Sequence, residues 1–336
     1  MVLVIALLSA ACTNAPARRS LIERTQVAMG SELRLAAWSA DEAATLAAFE
    51  SVFREFDRLE ALMTVWRDDS DVSRMNAMAG RQPVRVSPET IDVLGAAAEA
   101  SASTAGKFDI TFGALADVWK FDHDQDNTVP DRKAIDARLP LVDYTAVRID
   151  RTAGTAFITK PGARVHLGGI GKGYAVDRGI ALLRARGVTD FLIQAGGDLY
   201  ASGLNGDRPW KLGINDPRGP AGRAFATIEL SNATLSTSGD YERSFVKDGT
   251  RYHHIIDPDR GEPARGCRSV TIVAERAILA DALSTGVFIL GPADGMALVE
   301  RLPGVEAVIV SAGNDVLISS GLRGRVVMTA RPSEGQ

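Results

Sequence analysis

His166-Leu167-Gly168-Gly169-Ile170-Gly171-Lys172-Gly173-Tyr174 is the stretch from which the rest of the chain can be read. Short β-rich runs at 144–150 and 155–159 precede it, a helical pattern carrying Asp177 fits 174–186, and another β-rich run at 189–194 follows. A glycine-rich turn entering a helix exposes backbone N–H groups at the positive end of the helix dipole, which favours bound phosphate. Neither common nucleotide loop fits. A Walker A loop needs a glycine five residues before the Gly-Lys pair and a Ser or Thr after it, where this chain has His166 and Gly173. The spacing G-x-G-x-x-G fails because Gly169, Gly171 and Gly173 alternate and Tyr174 stands at the last position. The plainer alternative is a tight strand-to-helix turn with Lys172 as an exposed charge.

Outward from this turn, a strand fits Ser31–Trp38, followed by a long helix in which Leu46, Phe49, Val52, Phe53, Phe56, Leu59 and Met63 recur at helical spacing. Ser87-Pro88-Glu89 opens an Ala-rich helix, with Ser as N-cap and Pro at the first helical position, and Gly106 ends it. Further helices fit 277–290 and 292–302, and β-rich runs fall at 209–214, 224–230, 269–274, 305–310, 314–319 and 326–330. Helix and strand alternate without a regular repeat, so the fold class is α+β. No internal repeat or strong domain boundary divides the 336 residues, 46% of them hydrophobic, so the chain can build a sizeable core. The net charge of −4 leaves no basic surplus for a phosphate backbone, which argues against nucleic-acid binding.

The first residues form a separate region. Val2 to Ala11 is apolar or small, too short to span a membrane and of signal-peptide length. It ends in Leu8-Ser9-Ala10-Ala11-Cys12, which resembles a bacterial lipobox with Cys12 as the lipidated residue. The expected organisation is a signal peptide over 1–12, a tether over 13–20 and one domain over 21–331. With Cys12 lipidated, Cys267 has no partner in the chain.

Three further segments carry chemistry. In Asp281-Ala282-Leu283-Ser284-Thr285 the positions i, i+3 and i+4 share one helix face, so three oxygens can meet at one point and suit a hard cation such as Mg²⁺; the alternatives are a solvated Asp or hydroxyls that bond back to their own helix. The segment from Ser236 to Pro263 holds His253 and His254, two of only four histidines; strand alternation turns one to the core and its neighbour to solvent, and either can act as a base near neutral pH. Met29, Trp66 and Phe108 are apolar walls suited to a flat ring system, or ordinary core residues.

Six motifs, Gly106–Leu115 (GKFDITFGAL), Leu167–Asp177 (LGGIGKGYAVD), Gln194–Gly203 (QAGGDLYASG), Ser236–Phe245 (STSGDYERSF), Arg251–Gly261 (RYHHIIDPDRG) and Ala280–Gly291 (ADALSTGVFILG), together resemble the ApbE family of FAD:protein FMN transferases. The resemblance runs from about residue 25 to 330. It implies a single intertwined α+β domain with two similar subdomains, and transfer of FMN from FAD to a Thr or Ser hydroxyl of an acceptor protein, with release of AMP. It further implies a Mg²⁺ site at the carbonyl of Gly169 with Asp281, Thr285 and Ser284. An FAD site would take in Met29, Trp66, Lys107, Phe108, Asp109, Lys172 and Ile256, with His254 as the catalytic histidine. Gly196, Gly197 and Asp198 belong to a motif whose individual roles the resemblance leaves open. The implied acceptor is a flavoprotein subunit of a sodium-pumping (Nqr) or Rnf-type membrane electron carrier. The implied location is the periplasmic side of the cell envelope, in agreement with a lipid anchor at Cys12. Similar proteins usually carry Asp where this chain has His166, Pro at Ala114 and Ala at Gly171. Alternatives from other classes are an FAD-binding lipoprotein that stores flavin and a pyrophosphatase that splits FAD into FMN and AMP.

Overall fold

A computed structural model describes residues 18–122 and 124–335; the leader and Cys12 lie outside the described residues. Eight strands form one sheet in chain order: Ser20–Ala28, Ser31–Ser39, Phe191–Ala195, Asp198–Ser202, Ala233–Gly239, Cys267–Ala274, Glu306–Ser311 and Val316–Ile318. Every neighbouring pair is antiparallel. The long insertions between these strands carry the helices α1 (Glu42–Met63), α2 (Asp71–Ala77), α3 (Pro88–Ser103), α4 (Arg132–Arg138), α5 (Gly171–Ala185), α6 (Ala277–Leu290) and α7 (Pro292–Val299).

Strand alternation separates two cores. Leu33, Leu35, Phe191 and Ile193 pack with α1 and α5, whereas Ala36, Leu192, Leu199 and Ala201 face the small sheet of Trp210–Asn215, Ala224–Leu230 and Val326–Met328. The α+β class and the single domain both follow from this arrangement, because the one sheet draws strands from both ends of the chain.

Local signals set the helix boundaries. Asp41 accepts from the Ala44 N–H at the start of α1, whose Phe49, Val52, Phe53, Phe56, Leu59 and Met63 are buried; Leu46 packs at the margin. Ser87 caps α3 ahead of Pro88, and the Gly106 N–H, at φ +82°, closes the far end on the Ser101 carbonyl. α5 begins at Gly171, three residues earlier than its apolar periodicity indicated, because its start is secured from outside: the Gly173 N–H donates to Asp281 of α6 at 2.8 Å. In return, Asp177 of α5 accepts from the N–H groups of Ala277 and Ile278 at the start of α6. Each helix thus carries the acidic cap of the other, at about 1 kcal/mol per cap. A β-carbon at Gly173 would stand 2.4 Å from the Ala277 carbonyl oxygen and 2.7 Å from Asp281 Cβ. Gly173→Ala should therefore cost roughly 1–3 kcal/mol, read as a lowered denaturation midpoint.

Two expectations change. Ser20 is the first residue of an edge strand paired to Ser39, and Arg19 forms an ion pair with Asp190, so residues 19 and 20 belong to the fold rather than to a tether. The strands Asp198–Ser202 and Ala233–Gly239 carry too many polar and small residues to read as central strands. Their Asp, Ser and Thr side chains include those that face the site.

Candidate active site

The site lies at one end of the large sheet. The Met29-Gly30 hairpin, the Gly196-Gly197 turn and the last residues of Ala233–Gly239 come together there with residues 106–112, the glycine loop and α6. The backbone N–H of His166 donates to Ile110, and the Asn76 side chain brackets Val165 from both its N–H and its carbonyl. Two cavities adjoin. One of about 470 Å³ is lined by Met29, Glu60, Trp66, His166, Lys172 and Arg243 among others. A second of about 230 Å³ is lined by Lys107, Phe108, Asp109, Gly169, Lys172, Asp198, Ser238, His254, Ile256, Asp281 and Thr285, among others. Phe121, Asp122, His166, Gly168, Lys172 and Arg243 border both.

Lys172 is not an exposed charge. Its ammonium, on a half-buried side chain, lies 2.9 Å from Asp198 and 4.0 Å from Asp281. Burial opposes its charge, but the two carboxylates outweigh that and hold its pKa above the usual lysine value. Burial, with Asp198 adding to it, pushes the Asp281 carboxyl well above the carboxylate range, against the pull of Lys172 and the Gly173 N–H. Two carboxylates and one ammonium leave this desolvated cluster one negative charge in excess when all are ionised, and that excess suits a cation.

Four amides of the glycine loop are bound within the protein rather than offered to a phosphate as the sequence led us to expect. The Gly168 N–H donates to His166 Nδ1, those of Ile170 and Gly171 to Leu167, and that of Gly173 to Asp281. The loop instead contributes the Lys172 side chain and a close approach at Gly169, where a β-carbon would stand 3.6 Å from Thr285 Oγ1 and 3.4 Å from the Phe108 ring. Asp281 and Thr285 face the cavity. Ser284 does not: its hydroxyl donates to the Asp281 carbonyl and pairs with Ser238, leaving Ser238 to line the space beside Thr285. That correction follows from i−3 back-bonding, which a buried serine in a helix adopts readily.

The two histidines do part, but His254 lies just past the end of the strand Thr250–His253 and is half-buried at the cavity, whereas His253 points into the core. His253 is buried against the Ala264 carbonyl and the edge of Phe288, and burial lowers its pKa to about 4. His254 borders the cavity with its Nδ1 buried and without a hydrogen-bond partner among the described residues. Burial first, then Arg243, His253 and Lys172, push its pKa down to about 3. Lys107 bridges Asp257 and Asp259 at 2.8 and 2.7 Å, tying its loop to the residues just beyond His254.

Asp109 lies at the cavity wall, with its carboxyl raised by burial, but its oxygens accept from Thr111 and from the Tyr144 N–H, so it braces its own loop. Met29 adopts φ +50°, beside Gly30 at φ +69°, in a two-residue turn where a side chain is strained. Its N–H is held by Glu60 at 2.8 Å, which aims the Met29-Gly30 turn into the larger cavity. Trp66, 57% exposed, stands at that cavity's wall. Residues that spacing alone did not single out are Asp198, Ser238 and Arg243, the last paired with Asp122 at 2.6 Å. They sat inside quoted motifs, but nothing local distinguished their side chains from their neighbours'.

Residues 29–309 match the model of the ApbE family. The FAD:protein FMN transferase of Treponema pallidum is 33% identical over 98% of this chain and 96% of its own. One of the FAD:protein FMN transferases of Klebsiella pneumoniae is 34% identical over 88% of this chain and 91% of its own. Among solved structures, the ApbE protein of Thermotoga maritima superposes with a TM-score of 0.84 at 34% identity, covering 91% of this chain and 99% of that one. The flavin transferase ApbE of Vibrio cholerae gives 0.82 at 27% identity with the same coverage. Sequence and architecture agree over most of the chain, which belongs to the ApbE family.

Proposed function

We propose that this protein transfers FMN from FAD to a Thr or Ser hydroxyl of an acceptor protein and releases AMP, in the cell envelope and tethered through Cys12. The observation that carries this reading is the meeting of Lys172, His254, Asp281 and Thr285, from distant parts of the chain, on one cavity of about 230 Å³ that opens beside a larger one. The names of the relatives supply the reaction class.

Asp281, Thr285 Oγ1 and the Gly169 carbonyl would hold a divalent cation. Their oxygen chemistry and the excess negative charge around Asp281 fit Mg²⁺, which keeps its remaining positions for water or phosphate oxygens. When bound, it supplies charge neutralisation at the pyrophosphate. Lys172 adds a fixed positive charge toward the same oxygens. The dinucleotide would span both cavities, with Met29, Trp66, Lys107, Phe108 and Ile256 as its walls. The acceptor oxygen forms a bond to the FMN-side phosphorus as the bond from that phosphorus to AMP breaks. His254, neutral at physiological pH, takes the hydroxyl proton. The negative pyrophosphate stands against the same cations that depress its basicity and so raises it.

The test uses the detergent-solubilised full chain with FAD, Mg²⁺ and an acceptor domain of the electron-carrier type, resolved on a denaturing gel. A flavin-fluorescent acceptor band with one AMP per flavin, lost with chelator, is the expected result. AMP without labelled acceptor would establish hydrolysis instead, and bound FAD with neither product would leave flavin storage.

A further inference from the structure

The paired carboxylates around Lys172 are not equivalent. The ammonium sits 2.9 Å from Asp198 and 4.0 Å from Asp281, and within ion-pair reach these are its carboxylate partners among the described residues. Asp198 is held on its far side by the Ser236 hydroxyl and begins a strand right after the Gly196-Gly197 turn. That turn is itself fixed, since a β-carbon at Gly197 would stand 2.6 Å from the Thr237 carbonyl oxygen. Asp281 is held by the Gly173 N–H. Lys172 is thus a flexible four-carbon arm, anchored on the first turn of α5, between two immobile acceptors.

We propose that Asp198 is a positioning residue: it draws the Lys172 ammonium aside so that the Asp281 carboxylate stays open to a divalent cation. Without Asp198, the ammonium closes on Asp281 as a direct ion pair and competes with the cation for the same oxygens. This inference rests on the metal reading of Asp281 and goes beyond it by assigning the role of Asp198. It also explains why the family's glycine-Asp motif lies beside the cavity although Asp198 is turned toward the lysine.

The probe is Mn²⁺, whose binding to the full chain without FAD is read by its paramagnetic resonance signal. Asp198→Asn should weaken Mn²⁺ binding about tenfold, the size expected when a close charge partner is removed. Lys172→Met should bind Mn²⁺ at least as tightly as the wild type. In the Lys172→Met background, Asp198→Asn should weaken binding several-fold less than it does in the wild type, because the part of its effect that acts through the lysine is gone and only its direct charge remains. An equal loss in both backgrounds would show plain charge attraction and overturn the proposal, as would wild-type affinity in Asp198→Asn. Should Asp198→Asn fail to fold, Ser236→Ala, which frees Asp198 on its far side, should weaken binding two- to threefold, roughly, and only while Lys172 is present. Wild-type Mn²⁺ binding that Asp281→Asn leaves unchanged would refute the metal reading itself, and with it this proposal.

Discussion

Asp281→Asn should lower the rate of flavin transfer about a thousandfold, the equivalent of several kcal/mol of lost charge stabilisation, while leaving the fold intact. The asparagine keeps the size of the side chain and an oxygen that can accept from the Gly173 N–H, so the start of α5 stays capped. What it loses is the carboxylate charge at the cation site. In the metal-free protein this charge is unfavourable, because burial and Asp198 raise the Asp281 pKa above its unfolded value. A carboxyl raised in the folded state binds its proton more tightly folded than unfolded, so its contribution to stability falls as pH rises through the unfolded and then the folded value. Metal-free wild type should therefore lose thermal stability relative to Asp281→Asn as pH goes from acid to neutral, and Mg²⁺ should restore it in the wild type alone. Stable, inactive Asp281→Asn with wild-type Mg²⁺ stabilisation would contradict the assignment. Proton and cation compete for the same oxygens, so Mg²⁺ should also bind more tightly as pH rises.

The second large effect is expected at His254. Removing it with His254→Ala should lower kcat by about 10²–10⁴, the usual range for loss of a general base, with FAD affinity changed far less. The pH dependence separates this histidine from an ordinary one. In the free protein its pKa is pushed down to about 3, so the imidazole is neutral throughout the physiological range. The acidic limb of kcat/KM, which reports the free enzyme, should lie well below the ordinary imidazole value. The limb in kcat should stand higher, because bound pyrophosphate offsets Arg243 and Lys172. A profile for both parameters centred on the ordinary imidazole value would point to a solvated group and remove His254 from the role. His253 serves as the internal control: its ring is committed to the Ala264 carbonyl and to Phe288, so substitution there should lower stability more than rate.

Asp281 and His254 also mark where reading the chain residue by residue reaches its limit. The i, i+4 relation of Asp281 and Thr285 is visible in any helix, and both line the cavity as expected, whereas Ser284 shares that spacing and is turned away by one hydroxyl bond to its own helix. His253 and His254 were separable only as one inward and one outward residue. Which of them meets the cavity depends on residues 262–264 folding back against residues 255–257, which brings the Ala264 carbonyl to His253. The strands Asp198–Ser202 and Ala233–Gly239 were missed for a related reason: their polar residues face a site assembled by the rest of the molecule.

The amino-acid sequence by itself determined the α+β class, the presence of α1, the bounds of α3 and α6, the candidate oxygen face and the family, because caps, periodicity and motifs are recorded within a few neighbouring residues. Only the tertiary structure decided that Asp177 and Asp281 cap each other's helices, that the amides of Gly168, Ile170, Gly171 and Gly173 are taken up within the protein, and that Lys172 lies between Asp198 and Asp281. The paired residues of those caps stand 100 and 108 positions apart in the chain. Their charges and hydrogen bonds become defined when packing brings the partners together and removes the water that otherwise satisfies each of them separately.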